Sequence, residues 1–289
     1  MSSGFPKRPL PIGPRGTLSL ALLVGALLAA VGLGLSPAGL VPREGGLRVA
    51  GEFFSAALRP ALDYEADWIP EGTPSFGLTV ASAALRTIGF ALAAMSLAVL
   101  AGLPLGWIAS DAFWRPGGLG LPPRGGLLRR PLQASVRAFL AVLRSVHELL
   151  WAVVLMAAMG LVPFTGVIAL AVPYAGTLAK VWSELLDESN PRAARALQGL
   201  GAPPTAAFLA GRFPQALPDM LAYGFYRFEC CVRSSAVLGF FGYPTLGLYL
   251  TLSFDDLHYR EVWTYLYALL TIVVLLELWS AALRRRLAA

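Results

Sequence analysis

Long uncharged stretches, separated by short connections rich in Gly, Pro and charge, set the pattern of this 289-residue chain. A helix that crosses a hydrocarbon layer of roughly 30 Å needs about 20 predominantly apolar residues. Residues 17–35 and 87–110 contain no charge, and each predicts a span, the second kinked by Pro104 near its end. Residues 149–179 are uncharged too, but too many for one span and too few for two, and Gly160-Leu161-Val162-Pro163 reads as a turn. Both neighbouring helices must therefore extend outward. The third span is placed at 139–160, taking Arg144, His147 and Glu148 into the membrane, and the fourth at 164–182. Residues 234–254 are uncharged but broken by Gly239, Gly242 and Pro244, so the better fifth helix runs over 219–240 and contains Arg227, Glu229 and Arg233. Residues 262–283, with Glu277, supply a sixth.

Composition agrees with a polytopic membrane protein. Hydrophobic residues make up 56% of the chain and charged residues only 14%, against roughly 25% charged in soluble domains. Charge then orients the spans, because short Lys/Arg-rich connections stay cytoplasmic. Residues 1–16 carry Lys7, Arg8 and Arg15 without an acid, 36–75 carry more acids than arginines, 110–131 carry four Arg against Asp111, and the tail adds Arg284, Arg285 and Arg286. An all-α protein of six transmembrane helices with both termini cytoplasmic satisfies all four. It divides into a cytoplasmic N-terminus (1–16), a first helix (17–35), an external loop (36–75), a core (76–284) with a cytoplasmic loop at 183–214, and a tail (285–289). Residues 243–261 fall outside. The net charge of +6 thus reports topology rather than nucleic-acid binding. The first apolar stretch exceeds the length of a signal-peptide core and is read as an uncleaved anchor. Residues 47–62 can form an amphipathic helix at the interface, with Phe53, Phe54, Ala57 and Leu58 near one face.

The intramembrane charges are the first candidate chemistry. Each costs about 2.5–3.5 kcal/mol at the bilayer centre unless it finds an internal partner or water. Arg144, His147 and Glu148 would share a helix face, and Glu229 would pair with Arg233 one turn on. They read either as interhelical structural pairs or as the lining of a path. Three arginines against two glutamates favour an anion. Between spans four and five, Ser189-Asn190-Pro191 starts a helix, Gly199 and Gly201 end it, Pro203-Pro204 opens a second, and Pro214 limits that one. This is a helix-turn-helix.

Residues Arg195-Ala196-Leu197-Gln198-Gly199-Leu200-Gly201-Ala202, followed by Phe213-Pro214-Gln215-Ala216-Leu217-Pro218, resemble the cytoplasmic EAA loop of ABC importer permeases. The resemblance implies that this loop docks on an ATP-binding subunit, with Arg195, Ala196, Gly201, Ala202 and Pro214 at the contact; small residues there allow close approach. The family's Glu falls at Arg195, which reverses a charge. A narrower resemblance, to phosphonate-type permeases, rests on Leu143-Arg144-Ser145-Val146-His147-Glu148-Leu149-Leu150-Trp151-Ala152, on the run from Gly160 to Leu170, on Ala175-Gly176-Thr177-Leu178-Ala179-Lys180 and on Tyr226-Arg227-Phe228-Glu229-Cys230-Cys231-Val232-Arg233. Here Cys231 stands where that family has Asn. The resemblance implies a type I ABC importer permease (MetI-like) of the bacterial inner membrane, carrying a small phosphorus oxyanion or phosphonate. It implies as partners ATP-binding cassette subunits, an extracytoplasmic solute-binding protein and a second permease, identical or different. Arg144, His147, Glu148, Tyr226, Arg227, Glu229 and Arg233 are its candidate pathway or charge-pair residues.

Other classes fit less well. The chain has no Gly-x4-Gly-Lys-Ser/Thr phosphate loop, so ATP would be bound by a partner and no cofactor by this chain. A hydrolytic centre would need a nucleophile with a positioned base or a metal site; the only histidines are His147 and His258, and His258 beside Asp255 and Asp256 reads as a solvated cluster rather than a metal site. Cys230 and Cys231 are adjacent and read as small buried residues. A permease for a different small anion, or the divergent partner of a heterodimeric permease, is the first alternative; a channel or a secondary transporter is the second, and no internal repeat supports it.

Overall fold

The computed structural model describes residues 14–36, 39, 45–66, 68–114 and 126–287, and among these every regular element is helical. The chain divides into two compact units, residues 1–55 and 56–289. The first contains α1 (Pro14–Gly32) and most of α2 (Gly46–Ala56), which starts one residue before the predicted amphipathic stretch and ends before Ala57 and Leu58. The lysine and arginines expected at residues 1–13 and in the connection 115–125 lie outside the described residues.

In the second unit, α3 (Phe76–Ala109) and α7 (Pro163–Glu188) form the central pair, joined by the most extensive helix contact. The short α4 (Asp111–Trp114) follows α3. Their seam is made of small residues. A Cβ added at Gly106 would lie 3.0 Å from the Ala179 carbonyl oxygen, and one at Gly102 3.3 Å from that of Ala175. Without water to drive apolar association, helices in lipid gain mainly from such close approach. Helix α3 begins eleven residues before the predicted span, because the uncharged criterion stops at Arg86, which stays exposed.

The predicted third span is not one helix. It is α5 (Gly126–Ser145) and α6 (Glu148–Met159), bent by 90°. His147 is extended (φ −65°, ψ 145°) and caps α6, its Nδ1 accepting from the Leu149 amide at 3.3 Å. Trp151 Nε1 donates to the Leu143 carbonyl at 3.3 Å, serving an acceptor near the break. A capping side chain competes with the helix ladder, so the run parts where hydropathy reads straight through.

Helices α8 (Arg192–Gly199) and α9 (Pro204–Ala207) form the predicted helix-turn-helix. Asn190 Oδ1 accepts from the Arg192 amide at 3.0 Å, and Gly201 takes φ +89° while the Ala202 amide returns to the Leu197 carbonyl at 3.0 Å. This is a left-handed glycine cap. Pro214 does not end α9 cleanly. A π turn (Phe208–Arg212) carries the chain into α10 (Phe213–Val237), opening the ladder just before a residue with no N–H to donate.

After a 3-10 turn (Leu238–Phe241), the segment expected in an external connection folds as α11 (Leu246–Asp255), set at 48° to the preceding helices. Its base crosses the end of α10 backbone to backbone: Cβ atoms at Gly239 and Gly247 would collide with the Gly247–Leu248 chain and with the Ala236 carbonyl. Thr87 on α3 accepts from the Leu246 amide at 3.0 Å, and Ser235 donates to the Thr87 carbonyl at 2.8 Å. Helix α12 (Tyr259–Leu287) closes the unit. The segment after α2 is pinned to its start: Glu261 accepts from the Glu65 amide at 2.6 Å and from Ser253 at 2.7 Å, and Thr264 donates to the Ala61 carbonyl at 2.7 Å. Among the described residues α3, α7 and α12 are long and apolar enough to cross a membrane singly; α5 with α6, and α9 to α11, qualify as bent pairs, and Gly16–Gly32 is a shorter apolar helix.

Candidate functional site

Six of the seven predicted intramembrane site residues meet around one cavity of about 530 Å³, lined by Arg144, His147 and Glu148 at the α5–α6 break, by Tyr226, Arg227 and Arg233 on α10, and by Pro173, Tyr174 and Thr177 on α7. The 90° bend makes this possible. In a straight third helix Arg144, His147 and Glu148 would fall on one face; here the chain turns between them, and they flank the corner. Ser234 Oγ donates to Glu148 Oε1 at 2.8 Å and lies 3.1 Å from the Tyr174 hydroxyl. That chain ties α6, α7 and α10 together at the cavity wall. His147 Nε2 lies 3.6 Å from Glu148 Oε2.

The arginines are held without carboxylates. Arg227 Nε donates to the Tyr223 hydroxyl at 2.7 Å, and its guanidinium lies over the rings of Tyr223 and Tyr226 at 5.2 and 5.8 Å. Arg233 Nη2 approaches Cys230 Sγ at 3.5 Å. Neither of these nor Arg144 forms an ion pair with a described residue. Three guanidiniums therefore share a cavity with one carboxylate, Glu148, and that leaves an anion-attracting surplus.

Glu229 is the exception among the predicted residues, and the expected Glu229–Arg233 pair does not form. One turn of α10 separates them, but Glu229 faces α12, where its Oε1 lies 3.8 Å from Arg284 Nη1, while Arg233 faces the cavity. Glu229 is 9% exposed, and its Oε1 accepts no hydrogen bond. The cysteines separate in the same way. Cys230 lines the cavity, whereas Cys231, the position where the resemblance departs, is fully buried with Sγ 3.7 Å from the Ala91 carbonyl on α3. Sequence reasoning missed Tyr174, Thr177 and Ser234. A polar residue inside an uncharged run was the available signal.

The docking-loop candidates lie together at the other end of α7 and α10. Arg195, Ala196, Gly201 and Pro214 are exposed and Ala202 is half-buried, with Leu200 fully projecting beside them. The tight approach within the elbow belongs to another glycine: a Cβ at Gly211 would lie 2.6 Å from Ala194 Cα. Gly201 has open space around it and is required by its positive φ. Phe208, 1% exposed, anchors the elbow among Trp107, Phe113 and Phe213, with ring centroids 5.3 Å from Phe113 and 6.1 Å from Trp107. Nearby, Asp187 accepts from Ser110 Oγ and the Ala112 amide, both at 2.7 Å, and lies 3.8 Å from Arg137. Among the described residues no His, Cys, Asp or Glu cluster gathers to hold a metal ion; His258 lies 4.0 Å from Glu261.

Comparison with known proteins matches this architecture. Among solved structures, the MetNI methionine ABC transporter in inward-facing conformations gives a TM-score of 0.62 at 18% identity, covering 76% of this chain and 99% of that one. An amino acid ABC transporter gives 0.59 at 17%, covering 73% and 95%. These likenesses establish the expected MetI-like permease fold. Among curated proteins, the phosphate-import permease protein PhnE of Mycolicibacterium smegmatis is 27% identical over 79% of this chain and 40% of its own length. The putative phosphite transport system permease protein HtxE of Stutzerimonas stutzeri is 33% identical over 53% and 59%, and the phosphite transport system permease protein PtxC of that organism 32% over 52% and 54%. The chain thus spans about half the length of these relatives. Residues 119–289 match the family model described as binding-protein-dependent transport system inner membrane component. That match covers more than half of the chain, and the protein belongs to this family of transport-system membrane components.

Proposed function

We propose that the chain is the permease subunit of an ATP-driven importer that carries a small phosphorus oxyanion or phosphonate across the bacterial inner membrane. The observation that carries the reading is the cavity in which Arg144, Arg227 and Arg233 face a single carboxylate. A surplus of guanidinium charge on a membrane-spanning chain is tolerated where it faces water and an anion, and guanidinium geometry suits phosphorus oxyanions. The names of the curated relatives support the same substrate class.

In this reading six spans place both termini and the elbow in the cytoplasm, and two permease subunits work with two ATP-binding subunits and an extracytoplasmic binding protein. ATP stays on the partner. Closure of the ATP-binding subunits presses on the exposed surface of Arg195, Ala196 and Gly201. The load passes through Phe208 into the Trp107–Phe113 cluster on α3 and α4 and, by way of α10, to the cavity wall. The device is a switch between two packed states.

Reconstitution tests the reading. Proteoliposomes containing the permease, its ATP-binding subunit and its loaded binding protein are expected to accumulate phosphite, phosphate or methylphosphonate only with ATP on the elbow side. Solute movement without the ATP-binding subunit would instead make the chain a channel or a secondary transporter.

A further inference from the structure

The wall of the arginine cavity does not end at the cavity. Between Pro173 and Glu184 of α7, the positions that escape burial are Thr177, Lys180, Val181 and Glu184. Thr177 lines the cavity, and Lys180 and Glu184 follow it at i+3 and i+7, on the same face of the helix. The stripe therefore runs from the cavity toward the elbow, reaching Lys180 after about 4.5 Å and Glu184 after about 10 Å. Leu178, Ala179, Trp182, Ser183 and Leu186, around the rest of this segment, are buried. Lys180 Nζ and a Glu184 carboxylate oxygen form an ion pair along the stripe. Among the positions of this segment that escape burial, the helix thus keeps one opposite-charge pair in line with the cavity and on its elbow side.

We propose that Lys180 is a second and weaker anion station, taking the oxyanion as it leaves the arginine cavity toward the elbow, with Glu184 as its built-in competitor. The proposal rests on the anion-path reading above. Transport demands that binding be favourable enough for entry yet weak enough, and distributed over enough sites, for exit. Three guanidiniums facing one carboxylate satisfy the first condition and oppose the second. A lysine already neutralised by its own carboxylate gives a site of low affinity. Its ammonium is a flexible point charge that can exchange one oxyanion for another. An exiting anion meets Lys180 first and displaces Glu184, and the carboxylate returns as the anion moves on.

The alternative is a helix-stabilising i,i+4 pair with no part in transport. A charge swap separates the two, since Lys180→Glu combined with Glu184→Lys keeps the pair and moves the cation one turn away from the cavity. The assembled importer in proteoliposomes, with radiolabelled phosphate and phosphite as probes, is measured for initial uptake against loaded binding-protein concentration and for ATP hydrolysis. Lys180→Gln is expected to lower maximal uptake about tenfold with half-saturation unchanged, Lys180→Arg to restore most of it, and the swap to stay as low as Lys180→Gln, all with wild-type membrane levels. Full uptake by the swap or by Lys180→Gln, or a loss that Lys180→Arg does not rescue, would overturn the proposal alone. If the wild-type importer moved neither probe nor methylphosphonate, the anion-path reading would fail and the proposal with it.

Discussion

The α3–α7 seam and the α6–α10 cavity face are built on opposite principles, although α7 contributes to both. At the seam, Gly102 and Gly106 bring the α3 backbone against Ala175 and Ala179, with no charge and little room for a methyl group. At the cavity, long arginines stand around a void, and the helices are linked through the Tyr174, Ser234 and Glu148 chain rather than through close packing. The difference separates what must stay fixed from what must respond to a solute. A seam of touching backbones has one arrangement, whereas a polar wall around a void can rearrange its hydrogen bonds at small cost.

The comparison can be broken most forcefully at the seam. Gly106→Val adds a branched side chain against the Ala179 carbonyl, and overpacking of this kind costs about 1–3 kcal/mol. A lower melting midpoint and a poor monodisperse yield in detergent are expected, while Gly89→Val, at a position with open space, should match wild type. A smaller structural effect is expected at the α10–α12 pair. Arg284→Ala leaves the buried Glu229 without its counter-charge, and because Arg284 is partly exposed the loss should be about 1–2 kcal/mol, read from the same melting curves. Arg233→Ala should leave that midpoint alone and lower uptake by the assembled importer about tenfold, equivalent to ~1.4 kcal/mol. Equal melting losses for the two arginine variants would refute the division of Glu229 and Arg233 between α12 and the cavity. The smallest effect belongs to Ser234→Ala, which removes one hydrogen bond to Glu148, worth about 1 kcal/mol.

Much of this was legible before the fold. Residues 164–182 and 262–283 lie within α7 and α12, and the Asn190 cap and the Gly201 turn were marked by residue type alone. Arg144, His147, Glu148, Arg227 and Arg233 were singled out as polar groups costly inside an apolar span, and Tyr226 by the resemblance; these six line the cavity, whereas Glu229, equally costly, turns to Arg284. The break at Val146-His147 was hidden because hydropathy has no term for a side chain that caps the next helix. Helix α11 was hidden for a related reason: the Gly and Pro residues before it mark a break correctly, but they do not say that the helix resumes beyond it.

The sequence by itself determined which segments are apolar enough to leave water, where the ladder must be interrupted, and that arginines outnumber carboxylates in the interior. Those are local properties, fixed by side-chain chemistry and by the distance one helix rises per residue. Only the tertiary structure decided that Glu229 belongs with Arg284, that Cys230 and not Cys231 meets the cavity, and that Gly211 rather than Gly201 carries the elbow's close contact. Periodicity fixes the angles between residues on one helix, but not the rotation of that helix against partners far away in the chain. That rotation is set by which small residues let two backbones touch.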